Sequence, residues 1–316
     1  MKHKKGNDIN GWLIIDKPEG MGSTEVVNFT RRFFNARKNG HTGTLDPFAT
    51  GVLPIAFGEA TKLIDFLQDE KKEYEFTIDF GAETDTCDCT GTITAENEKV
   101  PSAEDIKSIL PKFSGLIKQT PPTFSAVKIN GQRAYNLARR GEKIEMPERE
   151  VEIFALELLK TYENHADFKV LCSKGTYVRS LGRDIAHTLN ACGHLSSLRR
   201  TRSGLFTLNN TISLDKLKNI VYGEQAIKLL LPLETSLRDI AVMAVSEAEA
   251  EKLRQGQSLS PKDRDESLMS QDIAAAVCNG VLQAIVRIDE RKISPIRVFN
   301  LTYNDKEDID VDYKRS

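Results

Sequence analysis

The sequence predicts an α+β protein with a small β-rich module at its C-terminal end, and three observations carry that prediction. Strand-like segments with a two-residue alternation, such as Tyr74, Phe76, Ile78 and Phe80 in KEYEFTIDFG (72–81), are scattered irregularly among helix-like segments. No G-x-G-x-x-G follows a strand and no G-x-x-x-x-G-K-[ST] occurs, which argues against a doubly wound nucleotide-binding sheet. The charge balance shifts near LLLPLETSLRDI (229–240): residues 1–232 carry 32 basic and 30 acidic side chains, residues 233–316 carry 12 and 16. The expected division is a main domain over 1–232, a module over 233–303 and an acidic tail, 304–316, whose composition predicts disorder.

The elements follow in order. GWLIID (11–16) reads as a buried strand ending in the turn DKPEGMGS, with Ser23 or Thr24 capping a helix through Val26, Val27, Phe33 and Phe34. EATKLIDFLQ (59–68) predicts a second helix and 72–81 a strand. Ser102 and Asp105 form a capping box for a helix ending near Gly115. PPTFSAVKING (121–131) predicts strand and turn, and 151–160 with 168–175 an antiparallel pair. A helix is expected from about Tyr177 through Leu189, and a strand over LSSLRRTRSGLF (195–206). In the module, Ser246, Glu249 and Gly256 bracket a short helix, and GVLQAIVRI (280–288) and PIRVFNL (295–301) read as strands.

Composition bounds the function. An apolar content of 40% supplies a core, and no apolar run has the length of a membrane span. The N-terminus lacks a signal-peptide pattern, and five scattered cysteines suit reduced thiols, so the cytoplasm is the expected compartment. Cys87 and Cys89 are half a metal site at best, and no metal is expected. A net charge of −2 excludes a globally basic nucleic-acid binder. Residues 169–202 nevertheless hold Lys169, Lys174, Arg179, Arg183, Arg199, Arg200 and Arg202 against Asp184 alone, and 133–141 adds Arg133, Arg139 and Arg140 around Tyr135. A polyanion bound along one face explains that bias.

GHTGTLDPFATGVL (40–53) clears other charges from around Asp46. An Asp-Pro turn is the commoner meaning of such a stretch. A single carboxylate can also serve as a covalent nucleophile if a cation keeps it ionised when shielded, and an arginine suits that task. Arg179, in the basic segment beside a Gly-Thr-Tyr turn where a helix begins, is one candidate.

GHTGTLDPFATGVLP followed by GEATK, KKEYEF and GTYVRSL closely resembles the TruB type of tRNA pseudouridine synthase. DKPEGMGS, TPPTFSAVKINGQRAYNLARRG and SSLRRTRSG resemble it too, in the family's order, over about residues 10–210. The resemblance implies a mixed, mainly antiparallel sheet of the pseudouridine-synthase type with flanking helices and a PUA-like C-terminal module. It implies base flipping and conversion of uridine 55 in the tRNA T arm to pseudouridine, by a monomer without cofactor, metal or membrane. Asp46 matches the catalytic aspartate, which bonds to the nucleoside at the uracil ring or at ribose C1′. Tyr74 matches the tyrosine that stacks on the flipped base and takes part in proton transfer, and Arg179 the arginine paired with the aspartate. His41 matches a histidine that contacts RNA near the extruded base, and Tyr177 and Leu198 match residues of the base pocket. Lys17, Lys128, Arg139, Arg140, Arg199 and Arg200 are the phosphate candidates. Asp88, between two cysteines where the family pattern varies, receives no role. A non-catalytic tRNA-binding protein and an Asp-nucleophile hydrolase are the competing classes; the first needs no shielded carboxylate, and the second leaves the basic segments unexplained.

Overall fold

The apolar run at 11–17 becomes β1 (Gly11–Lys17), buried along nearly its whole length at the interior of a sheet. The computed structural model describes residues 6–301 except 68–70, 130, 143, 221–222, 239, 262–263 and 265, so the acidic tail lies outside the described residues. The helix Ser23–Phe33 begins after Gly22, whose N–H donates to Glu25 Oε2 at 2.7 Å. Ser23 is therefore not its cap. The Ser23 hydroxyl donates to the Leu45 carbonyl at 2.9 Å and accepts the Leu45 N–H at 2.8 Å, which commits it to the neighbouring loop.

Strands β2 (Asn39–His41) and β3 (Thr50–Phe57) flank that loop, and β4 (Lys72–Phe80) buries Tyr74, Phe76, Ile78 and Phe80 as their alternation requires. The expected helix over 59–68 is a 3-10 turn, Gly58–Lys62, followed by the short helix Ile64–Leu67; Gln68 lies outside the described residues. A hairpin of β5 (Ala82–Thr84) and β6 (Ile93–Glu96) carries Asp88 in its loop. The capping box at Ser102 forms as expected before the helix Ala103–Ile109, and β7 (Gly115–Gln119) follows. Residues 121–131 hold less strand than expected: β8 (Lys128–Ile129) meets β9 (Gln132–Arg133) in a two-pair hairpin, followed by the helix Ala134–Arg139. Strands β10 (Arg149–Thr161) and β11 (His165–Cys172) pair antiparallel. The helix Val178–Thr188, then β12 (Gly193–Ser203), β13 (Phe206–Thr207) and β14 (Ile212–Ser213), complete the large sheet.

Its order is β14-β1-β3-β12-β4-β11-β10-β7, with β2 on β3 and β13 on β12. The pairs β14/β1 and β3/β12 are parallel and the others antiparallel, a mixed, mainly antiparallel sheet. At the parallel crossing Gly51 has φ +100, and a Cβ there would lie 2.2 Å from the Arg200 carbonyl oxygen; only glycine fits.

A separate sheet follows in the order β15 (Ala241–Ala244), β16 (Ile273–Cys278), β17 (Val281–Ile288), β18 (Ile293–Val298). The sequence suggested the last two; β15 and β16 are alanine-rich, and alanine carries little strand preference. Helix Glu247–Arg254 carries its Ser246–Glu249 capping box. The module is not detached. Trp12, Ile14, Val52 and Ala56 of the large sheet share one core with Leu233, Leu237, Ala275, Leu282, Ile285 and Phe299. Among the described residues no helix is long and apolar enough to cross a membrane.

Candidate active site

Asp46 sits on a loop fastened on three sides. Arg200 Nη2 donates to the Gly43 carbonyl at 3.1 Å, and Ser23 holds Leu45 in both directions. Lys17 Nζ donates to the Pro47 carbonyl at 3.1 Å, beside its bonds to Pro18 and Met21 at 2.8 and 2.6 Å. The turn closes through the Ala49 N–H to the Asp46 backbone carbonyl at 3.1 Å. This leaves the side chain for another partner: Arg179 Nε lies 2.9 Å from Asp46 Oδ2.

Arg179 is 5% exposed, and each of its three side-chain nitrogens has a partner within the chain. Nη1 meets the Thr86 carbonyl at 2.9 Å and Asp88 Oδ2 at 3.2 Å, and Nη2 the Phe124 carbonyl at 3.0 Å. The guanidinium thus stands between two carboxylates. Asp88, to which the sequence assigns no role, is a second carboxylate partner of Arg179. Its Oδ1 accepts from the Thr86 hydroxyl, the Thr90 N–H and the Thr90 hydroxyl at 2.8, 3.0 and 2.6 Å. The visible signal was the threonine on either side of the Cys-Asp-Cys triplet.

The Asp46 side chain keeps 35% of its surface accessible, yet the protein around it removes enough water to raise its pKa above the ordinary aspartate value. Arg179 opposes that shift, while Asp88 adds to it. Tyr74 lies opposite Arg200 across β4 and β12, and burial raises the pKa of its phenol, with Arg200 opposing. Leu198, opposite Phe76, is a 7% exposed core residue beside them. Tyr177 stands at the start of the Arg179 helix, clamped by Gln119, which accepts from its N–H at 2.8 Å and donates to its carbonyl at 3.1 Å. His41, at the end of β2, lines an adjoining cleft, and burial and Arg200 lower its pKa.

Two phosphate expectations need correction. Lys17 is fully buried and spends its ammonium on three carbonyls, its pKa pushed down to about 8 by burial. Arg200 is 1% exposed and bonds the Val52 and Gly43 carbonyls, so neither can reach an RNA backbone; both hold the Asp46 loop. Arg199 grips Asp16 through Nη1 and Nη2 at 3.1 and 2.8 Å, a strand-to-strand tie. Lys128, Arg139 and Arg140 are exposed on the segment 120–142, where Arg140 meets Glu142 at 2.9 Å and donates to Gln132 Oε1 at 2.7 Å.

The mixed sheet carries an Asp–Arg–Asp cluster, its carboxylates on loops and its arginine on the helix Val178–Thr188, and the fold is of the pseudouridine-synthase type. The structure is similar to that in "Crystal Structure of a Cbf5-Nop10-Gar1 Complex", with a TM-score of 0.67 and 26% identity over 92% of this chain and 84% of that one. The fold also matches "Crystal structure of the archaeal box H/ACA sRNP Nop10-Cbf5 complex", with a TM-score of 0.68 at 22% identity over 95% and 89%. The family model described as TruB family pseudouridylate synthase (N terminal domain) matches residues 31–178, and the tRNA pseudouridylate synthase B C-terminal domain model matches 179–238. The chain belongs to the TruB family of pseudouridylate synthases, which are isomerases. It is 43% identical to "tRNA pseudouridine synthase B" of Caulobacter vibrioides, over 95% of this chain and 99% of that one. It is 45% identical to the protein of the same name from Bradyrhizobium diazoefficiens, over 95% and 91%.

Proposed function

We propose that this chain converts uridine 55 in the T arm of tRNA to pseudouridine, with Asp46 as nucleophile and neither cofactor nor metal. The observation that carries the proposal is the Arg179–Asp46 pair at 2.9 Å, on a loop that Arg200, Ser23 and Lys17 hold in place. The names of the relatives support tRNA as the substrate. A uridine stacked in the T loop cannot present its reacting atoms to a side chain, so it must leave the stack. Asp46 then bonds to the nucleoside, at uracil C6 or ribose C1′, and the N1–C1′ bond breaks. The uracil turns and C5 bonds to C1′. The C5 hydrogen leaves as a proton, N1 gains one and the carboxylate is released, so atoms balance as an isomerisation.

Tyr74 stacks on the flipped base and takes part in the proton transfer, while Tyr177 and Leu198 line its pocket. His41 contacts the RNA beside the extruded nucleotide. Lys128, Arg139 and Arg140 meet phosphates. Residues 233–303 act as a PUA-like RNA-binding module of a monomeric, cytoplasmic protein.

The test is incubation with unmodified tRNA transcript and assay for the carbon-linked uridine isomer at position 55. The wild-type protein should form it. A folded protein that binds the transcript and leaves every uridine unchanged would overturn the proposal in favour of a binding function.

A further inference from the structure

Burying a polar atom without a partner is costly, so such atoms are rare and tend to mark function. Among the described residues four side-chain atoms are buried without a hydrogen-bond partner, and three of them, His41 Nδ1, Thr42 Oγ1 and Arg149 Nε, belong to residues lining one cleft of about 620 Å³; the fourth is Ser125 Oγ. The same cleft is lined by Gly43 and Thr44, which lead into Asp46, and by Lys72 and Lys174. Glu150 is the one acid among its lining residues, and it is exposed. The charge balance of the wall suits an anion.

Arg149 differs from the other arginines around the site. Arg179, Arg199 and Arg200 spend their donors on carboxylates or carbonyls within the chain. The Arg149 guanidinium lies over the Tyr177 ring, 5.5 Å from its centroid, and makes no ion pair among the described residues. Arginine stays charged at any accessible pH, and its planar donors fit phosphate oxygens. Arg149 opens β10 opposite Gln119, the residue that clamps Tyr177, so the fold sets its position. His41 is held neutral by burial and Arg200, and therefore offers a hydrogen bond rather than charge.

We propose that Arg149, with Thr42 and His41, forms an anion subsite that takes a phosphodiester of the substrate RNA flanking the nucleotide held at Asp46. This rests on RNA being the substrate, as proposed above. Because Arg149 also packs on Tyr177, occupation of the subsite orients one wall of the base pocket.

The test pairs protein variants with T-arm hairpins carrying a methylphosphonate at each loop linkage in turn, and all variants are checked for folding. Arg149→Gln should raise Kd by roughly tenfold or more and reduce the salt slope of binding by about 0.7, the share of one single-strand phosphate contact. Arg149→Lys should keep that slope, and Thr42→Val should weaken binding without changing it. One methylphosphonate should weaken the wild-type protein and leave Arg149→Gln indifferent. The subsite is overturned if no linkage shows this, or if Arg149→Gln lowers kcat with its salt slope intact, since Arg149 would then only support Tyr177. If Arg149→Gln does not fold, Thr42→Val takes its place in the linkage comparison under the same criterion. Isomer formation by the wild-type protein on the unmodified hairpin separates failure of the subsite from failure of the proposed function.

Discussion

Asp46 is held by one arginine and disfavoured by its surroundings, and both facts are measurable. Burial raises its pKa, so the ionised form that the proposed mechanism needs is lost as pH falls through a value above the ordinary 3.8. The acid limb of kcat/KM should therefore lie above that of a solvated aspartate and disappear from the residual rate of Asp46→Asn. A folded Asp46→Asn protein should show no turnover and should bind RNA at least as well, since a carboxylate facing a polyanion is unfavourable. Stability carries the same sign. A raised native pKa favours folding below the unfolded-state value, and that gain is lost as pH rises through the native one. At neutral pH the ionised side chain therefore costs stability, so Asp46→Asn should melt no lower than the wild type. Arg179→Ala is the opposite case: Asp46 and Asp88 would face each other without their shared cation. Loss of about 3–5 kcal/mol in urea unfolding, with loss of turnover, is expected from breaking a buried charge cluster.

At the level of elements, the Asp46 loop is positioned by β1, by the helix after it and by β12. Arg200 reaches from β12 to Val52 and Gly43, while Arg139 stands exposed over Tyr135, 4.9 Å from the ring centroid. The two should separate in one experiment. Arg200→Lys should lower the melting temperature and turnover while leaving the salt slope of tRNA binding unchanged, because two buried carbonyls lose a donor. Arg139→Ala should reduce that slope by about 0.7–0.9 and leave the melting temperature nearly unchanged. A changed slope in Arg200→Lys with unchanged melting would restore it as a phosphate ligand.

For the whole molecule, the C-terminal module is part of the structure that supports the site. Trp12 Nε1 donates to the Leu233 carbonyl at 3.2 Å, and Trp12 exchanges backbone bonds with Leu231 at 2.8 and 2.7 Å. Removing residues 239–316 would uncover the β1/β3 face now closed by Ala275, Leu282, Ile285 and Phe299. The truncated chain should therefore melt well below the intact protein and bind a hydrophobic dye. A truncation that melts like the full chain would show that the sheet face needs no cover.

Local patterning was sufficient for much of this molecule. The alternation in β4 and the capping boxes at Ser102 and Ser246 depend on neighbours within a few residues, and β10 and β11 are adjacent strands in sequence, so the chain displays them directly. The isolation of Asp46 and the basic bias around Arg179 were equally visible, though their partnership rested on a resemblance to a known family. Other features depend on contacts far apart in sequence. Ser23 looked like a cap until Leu45, 22 residues on, claimed its hydroxyl. Lys17 and Arg200 looked like surface charge because sequence does not record burial, and only the packed sheet turns them inward onto carbonyls. Asp88 shows locally only the threonines on either side that hold one of its oxygens; its partner Arg179 is 91 residues away and reaches it only when the hairpin folds over the helix start. The sequence by its periods and caps determined most of the elements, and by its motifs, through their family resemblance, the candidate chemistry. Long-range packing alone decided which charges face the cleft and which hold its walls.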